Sequence, residues 1–131
     1  MCSSDLVCAP AVAARLGGPT ALIGEALLRS YRADEWPRWF EAAGAPCPPL
    51  RGPVFDNSVV MAAAAASGLG VALVPAALFS RELAAERLVR PFETEIALGG
   101  YWLTRLHSRA ETVAMTAFRD WIRAEIAADQ R

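Results

Sequence analysis

The stretch from residue 55 to 75, FDNSVVMAAAAASGLGVALVP, constrains the fold more than any other part of this chain. Asp56, Asn57 and Ser58 are all residue types that favour a helix N-cap, and they stand directly before an alanine-rich run. A glycine ends that run, and the apolar segment GVALV then leads to a proline, as is typical of a strand covered on both faces. The pattern predicts a helix that begins at a polar corner and leads into a buried strand.

Short apolar runs alternate with helical patterns along the rest of the chain. Strands are predicted at 6–9, 26–28, 54–55, 88–92 and 96–106, and helices over 10–16, 34–44, 76–87 and from 108 onward. Trp36, Trp39 and Phe40 share one face of their helix, which indicates that this face packs inward. The last helix has a capping box, Ser108 with Glu111. This order predicts βαβ units, and therefore an α/β fold with a mainly parallel sheet.

Composition narrows the possible functions. At 131 residues, 54% hydrophobic and 21% charged, the chain has the balance of a globular protein, and no apolar run is long enough for a membrane helix. The net charge of −1 gives no basic surface for nucleic acid, so any DNA contact must come from another segment. Three cysteines and one histidine, without metal-ligand spacing, predict no metal site, no disulfide framework and a reducing cytoplasm.

The polar corner is the first candidate site. The N-terminus of a helix offers unpaired N–H groups and a positive dipole to a carboxylate, phosphate or sugar oxygen, and a serine there adds a small donor. A single cap explains one of the residues 56–58 without a ligand. Three polar residues exceed what one cap requires, so both interpretations stay open.

Two other clusters are weaker candidates. Gly100 and Tyr101 lie in GGYW, where glycines permit close backbone approach and the phenol can donate a hydrogen bond, although a bent strand with core aromatics explains the pattern as well. Tyr31 lies in a polar segment after a strand, which could line a cleft, although a capped helix with a solvated arginine is the simpler explanation. His107 lacks triad partners, and the glycines at 68 and 70 precede their strand, which disfavours a hydrolase and a dinucleotide site.

Several motifs together resemble the effector-binding domain of LysR-type transcription regulators, and within them the AmpR-type β-lactamase regulators. These motifs are LLRSYRADEWPRWFEAAG, FDNSVVMA, SGLGVALVP and LGGYWLTR. The resemblance runs from about residue 7 to 126. It implies the fold of class II periplasmic binding proteins, with an effector in a cleft between two α/β subdomains.

The resemblance also implies boundaries. Residues 7–24 correspond to a remnant of subdomain I, 25–96 to subdomain II and 97–131 to the segment that returns to subdomain I, which is therefore incomplete. Residues 1–6 fit the family poorly and are interpreted as a non-native leader. The family's DNA-binding winged helix-turn-helix has no counterpart in this sequence.

Carried over by position, Ser58 and Tyr101 match a serine and a tyrosine that line the effector groove of AmpR-type proteins. Asn57 stands where relatives have serine. The implied function is sensing of a cell-wall muropeptide or nucleotide-linked precursor by a homo-oligomeric regulator that binds promoter DNA through the missing domain, with no cofactor and no membrane partner. A solute-binding protein of a transporter and, more weakly, an α/β enzyme remain alternatives.

Overall fold

Strand β1 (Cys2–Val7) is the middle strand of a three-stranded sheet, between β2 (Ala72–Val74) and β3 (Glu95–Gly99). The computed structural model describes residues 2–129. Its α-helices are α1 (Pro10–Ala13), α2 (Glu35–Ala43), α3 (Ser58–Ala66), α4 (Ser80–Ala84) and α5 (Val113–Asp129), and 3-10 turns span Pro19–Gly24 and Ala76–Phe79. The chain divides into two units, Met1–Gly100 and Tyr101–Arg131, which are described separately.

Strand direction in the first unit is more mixed than the sequence predicts. Both ladders of β1 are antiparallel, so β2 and β3 run in the same direction on either side of it. Parallel pairing is found at two single bridges, Leu27 with Val71 and Arg29 with Val54. β2, β3 and the short segments that form these bridges run in the same direction, as the predicted crossovers require. The strand that comes first in the chain, however, lies between β2 and β3 in the opposite direction.

Two apolar layers cover the sheet. On one face, Trp36, Trp39 and Phe40 of α2 pack with Leu6 and its neighbours, as the spacing in the sequence predicts. On the other face, α3 and the 3-10 turn after β2 pack against Val7 and β2. The α/β fold class is confirmed. Alternation along β1 decides which residue faces which layer.

Side-chain donors of helix α2 fix it to two segments, one beside β2 and one directly before β3. The indole Nε1 of Trp36 donates to the Leu28 carbonyl at 2.8 Å, and that of Trp39 to the Thr94 carbonyl at 3.1 Å. The helix ends at Gly44, whose φ of 70° is a left-handed conformation that favours glycine. Asp34 precedes the helix as predicted but makes no side-chain cap hydrogen bond. Its carboxylate lies 3.6 Å from Arg38.

Several predicted elements are shorter than the sequence patterns indicate. The segments at 26–28, 54–55 and 88–92 pair only through single bridges. The helix predicted over 76–87 is a 3-10 turn followed by one turn of α4. Residues 2–6, interpreted as a leader, lie within β1, where Leu6 is fully buried. The subdomain boundaries stay predictions.

In the second unit, α5 begins later than its capping box predicts. The first residue of the helix is Val113, and the Thr112 hydroxyl accepts the Met115 N–H at 3.2 Å. Glu111 pairs instead with Arg119 at 2.5 Å. The strand predicted over 96–106 ends at residue 99, so residues 101–106 are not part of a strand.

Candidate functional site

Three parallel segments end at the same edge of the sheet in the first unit. The Phe55 N–H donates to the Arg29 carbonyl at 2.8 Å, and the Leu28 N–H donates to the Val71 carbonyl at 2.9 Å, so the segments lie side by side. In open α/β sheets, ligands bind outside the carboxyl ends of such strands. Residues 30–32, 56–58 and 75–76 follow these segments and therefore form this edge, which we call the carboxyl edge.

The polar corner at the start of α3 divides its tasks between two residues. Asn57 is the N-cap, and its side-chain oxygen accepts the Val60 N–H at 2.9 Å. Ser58, the first helical residue, is half-buried, and its hydroxyl makes no side-chain hydrogen bond within residues 2–129. Asp56 is exposed and accepts a hydrogen bond from the Asn57 amide at 3.2 Å. The cap is therefore satisfied without Ser58.

A second polar group at the carboxyl edge surrounds Tyr31. Tyr31 is 73% exposed, and the Arg32 guanidinium lies 5.7 Å from the centroid of its ring. Beneath them the Ser30 hydroxyl donates to Glu35 at 2.8 Å. Glu35 is buried, and this burial raises the pKa of its carboxyl, while the Ser30 hydrogen bond and Arg32 act in the opposite direction. The segment 30–32 is thus held by the contact between Ser30 and the buried Glu35, while Tyr31 is exposed to solvent.

The predicted site residues fall into two groups. The structure brings Tyr31, Asp56, Asn57 and Ser58 to the carboxyl edge. Gly100 is exposed and follows β3 at the end of the first unit. Tyr101 is the first residue of the second unit, and 74% of its surface is exposed.

Two buried polar residues near this edge escaped the sequence analysis. Ser4 and Asp5 are 1% and 3% exposed in β1. An aspartate within a strand is the signal that could have identified them. Residues 1–6 were interpreted as a leader, so this signal was not considered. Within residues 2–129, no three His, Cys, Asp or Glu side chains are grouped so that they could hold a metal ion. No helix in that range could span a membrane.

Comparison with known proteins identifies the family. The LysR substrate binding domain matches residues 3–127. The chain belongs to this family. Among relatives of this LysR domain, the transcriptional activator AmpR of Pseudomonas aeruginosa is 56% identical over 128 residues, which are 96% of this chain and 43% of that protein. The LysR domain described here therefore spans less than half the length of that relative.

Solved structures agree with this assignment. The effector domain of Pseudomonas aeruginosa AmpR superposes on this LysR domain with a TM-score of 0.93 at 54% identity, covering 98% of this chain and 63% of that one. A Citrobacter freundii effector-binding domain with three substitutions gives a TM-score of 0.87 at 43% identity, covering 92% and 62%. The periplasmic-binding-protein-like fold expected from the resemblance is confirmed.

Proposed function

We propose that this LysR domain is the effector-sensing part of an AmpR-type transcription regulator that controls β-lactamase expression in response to cell-wall muropeptides. The observation that carries the proposal is the 56% identity with an HTH-type transcriptional activator across nearly the whole chain. Two further relatives, from Enterobacter cloacae and Citrobacter freundii, carry the same description at 50% and 46% identity. The regulator acts in the cytoplasm, and its DNA-binding domain lies in the part of those proteins that this chain does not span.

The proposed effector contacts are Ser58 at the carboxyl edge and Tyr101. In the Citrobacter freundii domain with three substitutions, the replaced residues are a threonine, a serine and a tyrosine. That serine and that tyrosine are 43 residues apart, and Ser58 and Tyr101 are also 43 residues apart. The threonine lies too far upstream of the serine to have a counterpart in this chain. This spacing supports the assignment of the pair.

The surroundings of Ser58 suit a polar ligand. Because Asn57 already caps α3, the Ser58 hydroxyl and the first N–H groups of the helix remain available to a carboxylate, amide or sugar oxygen. Asp56, Tyr31 and Gly100 complete the proposed set, with a side-chain acceptor, an aromatic surface and an unobstructed backbone. A muropeptide or a nucleotide-linked precursor offers all of these complementary groups.

A ligand changes such a regulator only if its affinity differs between two conformations. We propose that effector binding at the carboxyl edge favours one arrangement of a homo-oligomeric regulator on promoter DNA. Neither a metal nor a cofactor is needed for this switch. The solute-binding alternative has less support, because the most similar relatives described above are transcription regulators. The enzyme alternative has the least support, for the same reason.

Induction of a reporter by the full-length regulator that carries this segment tests the proposal. Ser58→Ala and Tyr101→Phe are expected to abolish induction while promoter binding in a gel-shift assay is retained. Ser67→Ala is the matched control, because this serine caps the other end of α3 by donating to the Ala64 carbonyl at 2.8 Å. Normal induction in both site variants contradicts the assignment.

A further inference from the structure

Asp5 is a carboxylate buried in the middle strand of the sheet, where an apolar residue would be expected. An ionised group in such a place is costly unless its partners compensate. Arg90 Nη2 lies 2.5 Å from Asp5 Oδ1, and Val74, two residues before Ala76, pairs with Asp5 across the ladder. Glu95 lies directly opposite on β3. Burial raises the pKa of Asp5, and Arg90 opposes that effect.

The hydrogen bonding of this group is incomplete. The ion pair with Arg90 is short, but its direction does not give Asp5 Oδ1 a hydrogen bond, and within residues 2–129 this oxygen has no other hydrogen-bond partner. The hydroxyl of Ser4, the preceding residue, is also buried without a partner in that range. Buried groups left in this condition are rare in proteins and call for an explanation.

Asp5 lies at the point where the three-stranded part of the sheet ends. Val74, the last residue of β2, pairs with Asp5 on one side, and Glu95, the first residue of β3, pairs with it on the other. Toward residue 2 the ladder with β2 has ended, whereas the ladder with β3 continues to Gly99. The strand segments 2–5 and 95–99 therefore leave the sheet as a two-stranded ribbon, and Asp5 lies at its base.

The partners of Asp5 connect this ribbon with the proposed effector site. Ala76 begins the turn after β2, at the carboxyl edge that also carries Ser58. Arg90 belongs to the segment that leads into β3, and the bridge between Cys8 and Val89 holds that segment against β1. Asp5 thus pairs through its backbone with the residue two before this turn, and through its carboxylate with the chain that enters the ribbon.

We propose that Asp5 is a positioning residue for effector binding, which holds the Ala76 turn and the base of the ribbon in one arrangement through its ion pair with Arg90. The inference rests on the proposed function, because it assigns Asp5 to the carboxyl edge at which the effector binds. Asp5 does not contact the effector in this account. It holds the residues of the carboxyl edge in the arrangement to which the effector binds.

Amide hydrogen exchange without ligand tests the positioning directly. In Asp5→Asn and in Arg90→Ala, the amides of residue 76 and of 95–99 are expected to exchange about tenfold faster or more, since the ion pair at the base of the ribbon is lost. The amides of α2 should be unchanged. Arg87→Ala is the matched control, because this arginine lies 3.7 Å from Glu82 in an exposed pair. Exchange that is unchanged, or faster throughout the protein, overturns the inference.

A binding measurement distinguishes a positioning role of Asp5 from a general contribution to the stability of the protein. The full-length regulator is titrated with a nucleotide-linked muramoyl peptide well below its unfolding temperature. Asp5→Asn and Arg90→Ala should each weaken binding about tenfold, and the double variant should be no weaker, because both changes remove one interaction. Arg87→Ala should remain within about twofold of the wild type. Unchanged affinity with a lowered melting temperature overturns the inference.

The two experiments fail in different ways. A wild-type regulator that does not bind the probe contradicts the proposed function. The exchange measurement needs no ligand, so it still confirms or overturns the link that Asp5 makes between the Ala76 turn and the ribbon.

Discussion

The side-chain oxygen of Asn57 accepts a hydrogen bond of 2.9 Å from the backbone N–H of Val60. This contact caps α3. The sequence alone does not show which residue of the polar corner caps the helix and which is available to a ligand. Asn57 stabilises the helix, whereas the neighbouring hydroxyl of Ser58 is left for another partner. The separation can be measured, because stability and effector response should depend on different residues.

Asn57→Ala should lower the free energy of unfolding by about 1 kcal/mol, because a side-chain cap of the first turn is lost. Ser58→Ala should change it by less than about 0.5 kcal/mol, since the hydroxyl holds no part of the helix. Asn57→Ser keeps an N-cap and should retain most of the stability. Urea unfolding followed by circular dichroism measures all three. A larger loss for Ser58→Ala than for Asn57→Ala contradicts the division of roles.

Leu6→Ala should destabilise the protein by about 2–5 kcal/mol, because Leu6 is fully buried in the middle strand of the sheet and its truncation leaves a cavity. The matched control is Leu78→Ala, at a leucine that is 61% exposed, for which less than about 0.5 kcal/mol is expected. The midpoints of urea unfolding provide the comparison. Equal effects at the two leucines contradict the placement of residues 2–7 in the core, and would agree with a dispensable leader.

Glu35 should make the protein less stable as the pH rises. Its pKa in the folded protein is raised above the ordinary 4.5, chiefly by burial. The folded protein therefore keeps this proton at pH values where the unfolded chain has lost it. The stabilisation is complete below pH 4.5 and is lost as the pH rises through the folded-state pKa.

Glu35→Gln should flatten this dependence, because the amide keeps a side-chain acceptor for Ser30 but cannot ionise. The free energy of unfolding is measured from about pH 4 to about pH 7 for both proteins. Glu41→Gln, at an exposed position of the same helix, is the control. An identical pH slope in wild type and Glu35→Gln would rule out Glu35 as the source.

The parts of the fold that depend on local pattern were predictable from the sequence. Helix α2 follows from its aromatic spacing and ends at Gly44, and α3 begins after its capping residue as expected. Strand β2 is buried throughout, as its uninterrupted apolar run indicates. In each case the signal lies within the element itself.

The parts that depend on distant partners were not predictable. β1 contains Ser4 and Asp5, which interrupt its apolar pattern, and the ion that pairs with Asp5 is Arg90, far away in sequence. The antiparallel insertion of β1 between β2 and β3 is a property of tertiary packing, which strand propensity does not encode. The residues of the polar corner could be identified as candidates from the sequence. That they share an edge with Tyr31 follows only from the pairing of Arg29 with Val54.

The carboxyl edge is proposed to bind the effector. Titration of the isotope-labelled effector domain with a nucleotide-linked muramoyl peptide, followed by backbone amide chemical shifts, tests this most directly. The largest shifts are expected at residues 30–32, 56–60, 76 and 101, and Ser58→Ala is expected to weaken binding about three- to tenfold, as for the loss of one hydrogen bond. Saturable shifts confined to residues other than these, with Ser58→Ala binding as tightly as wild type, would contradict it.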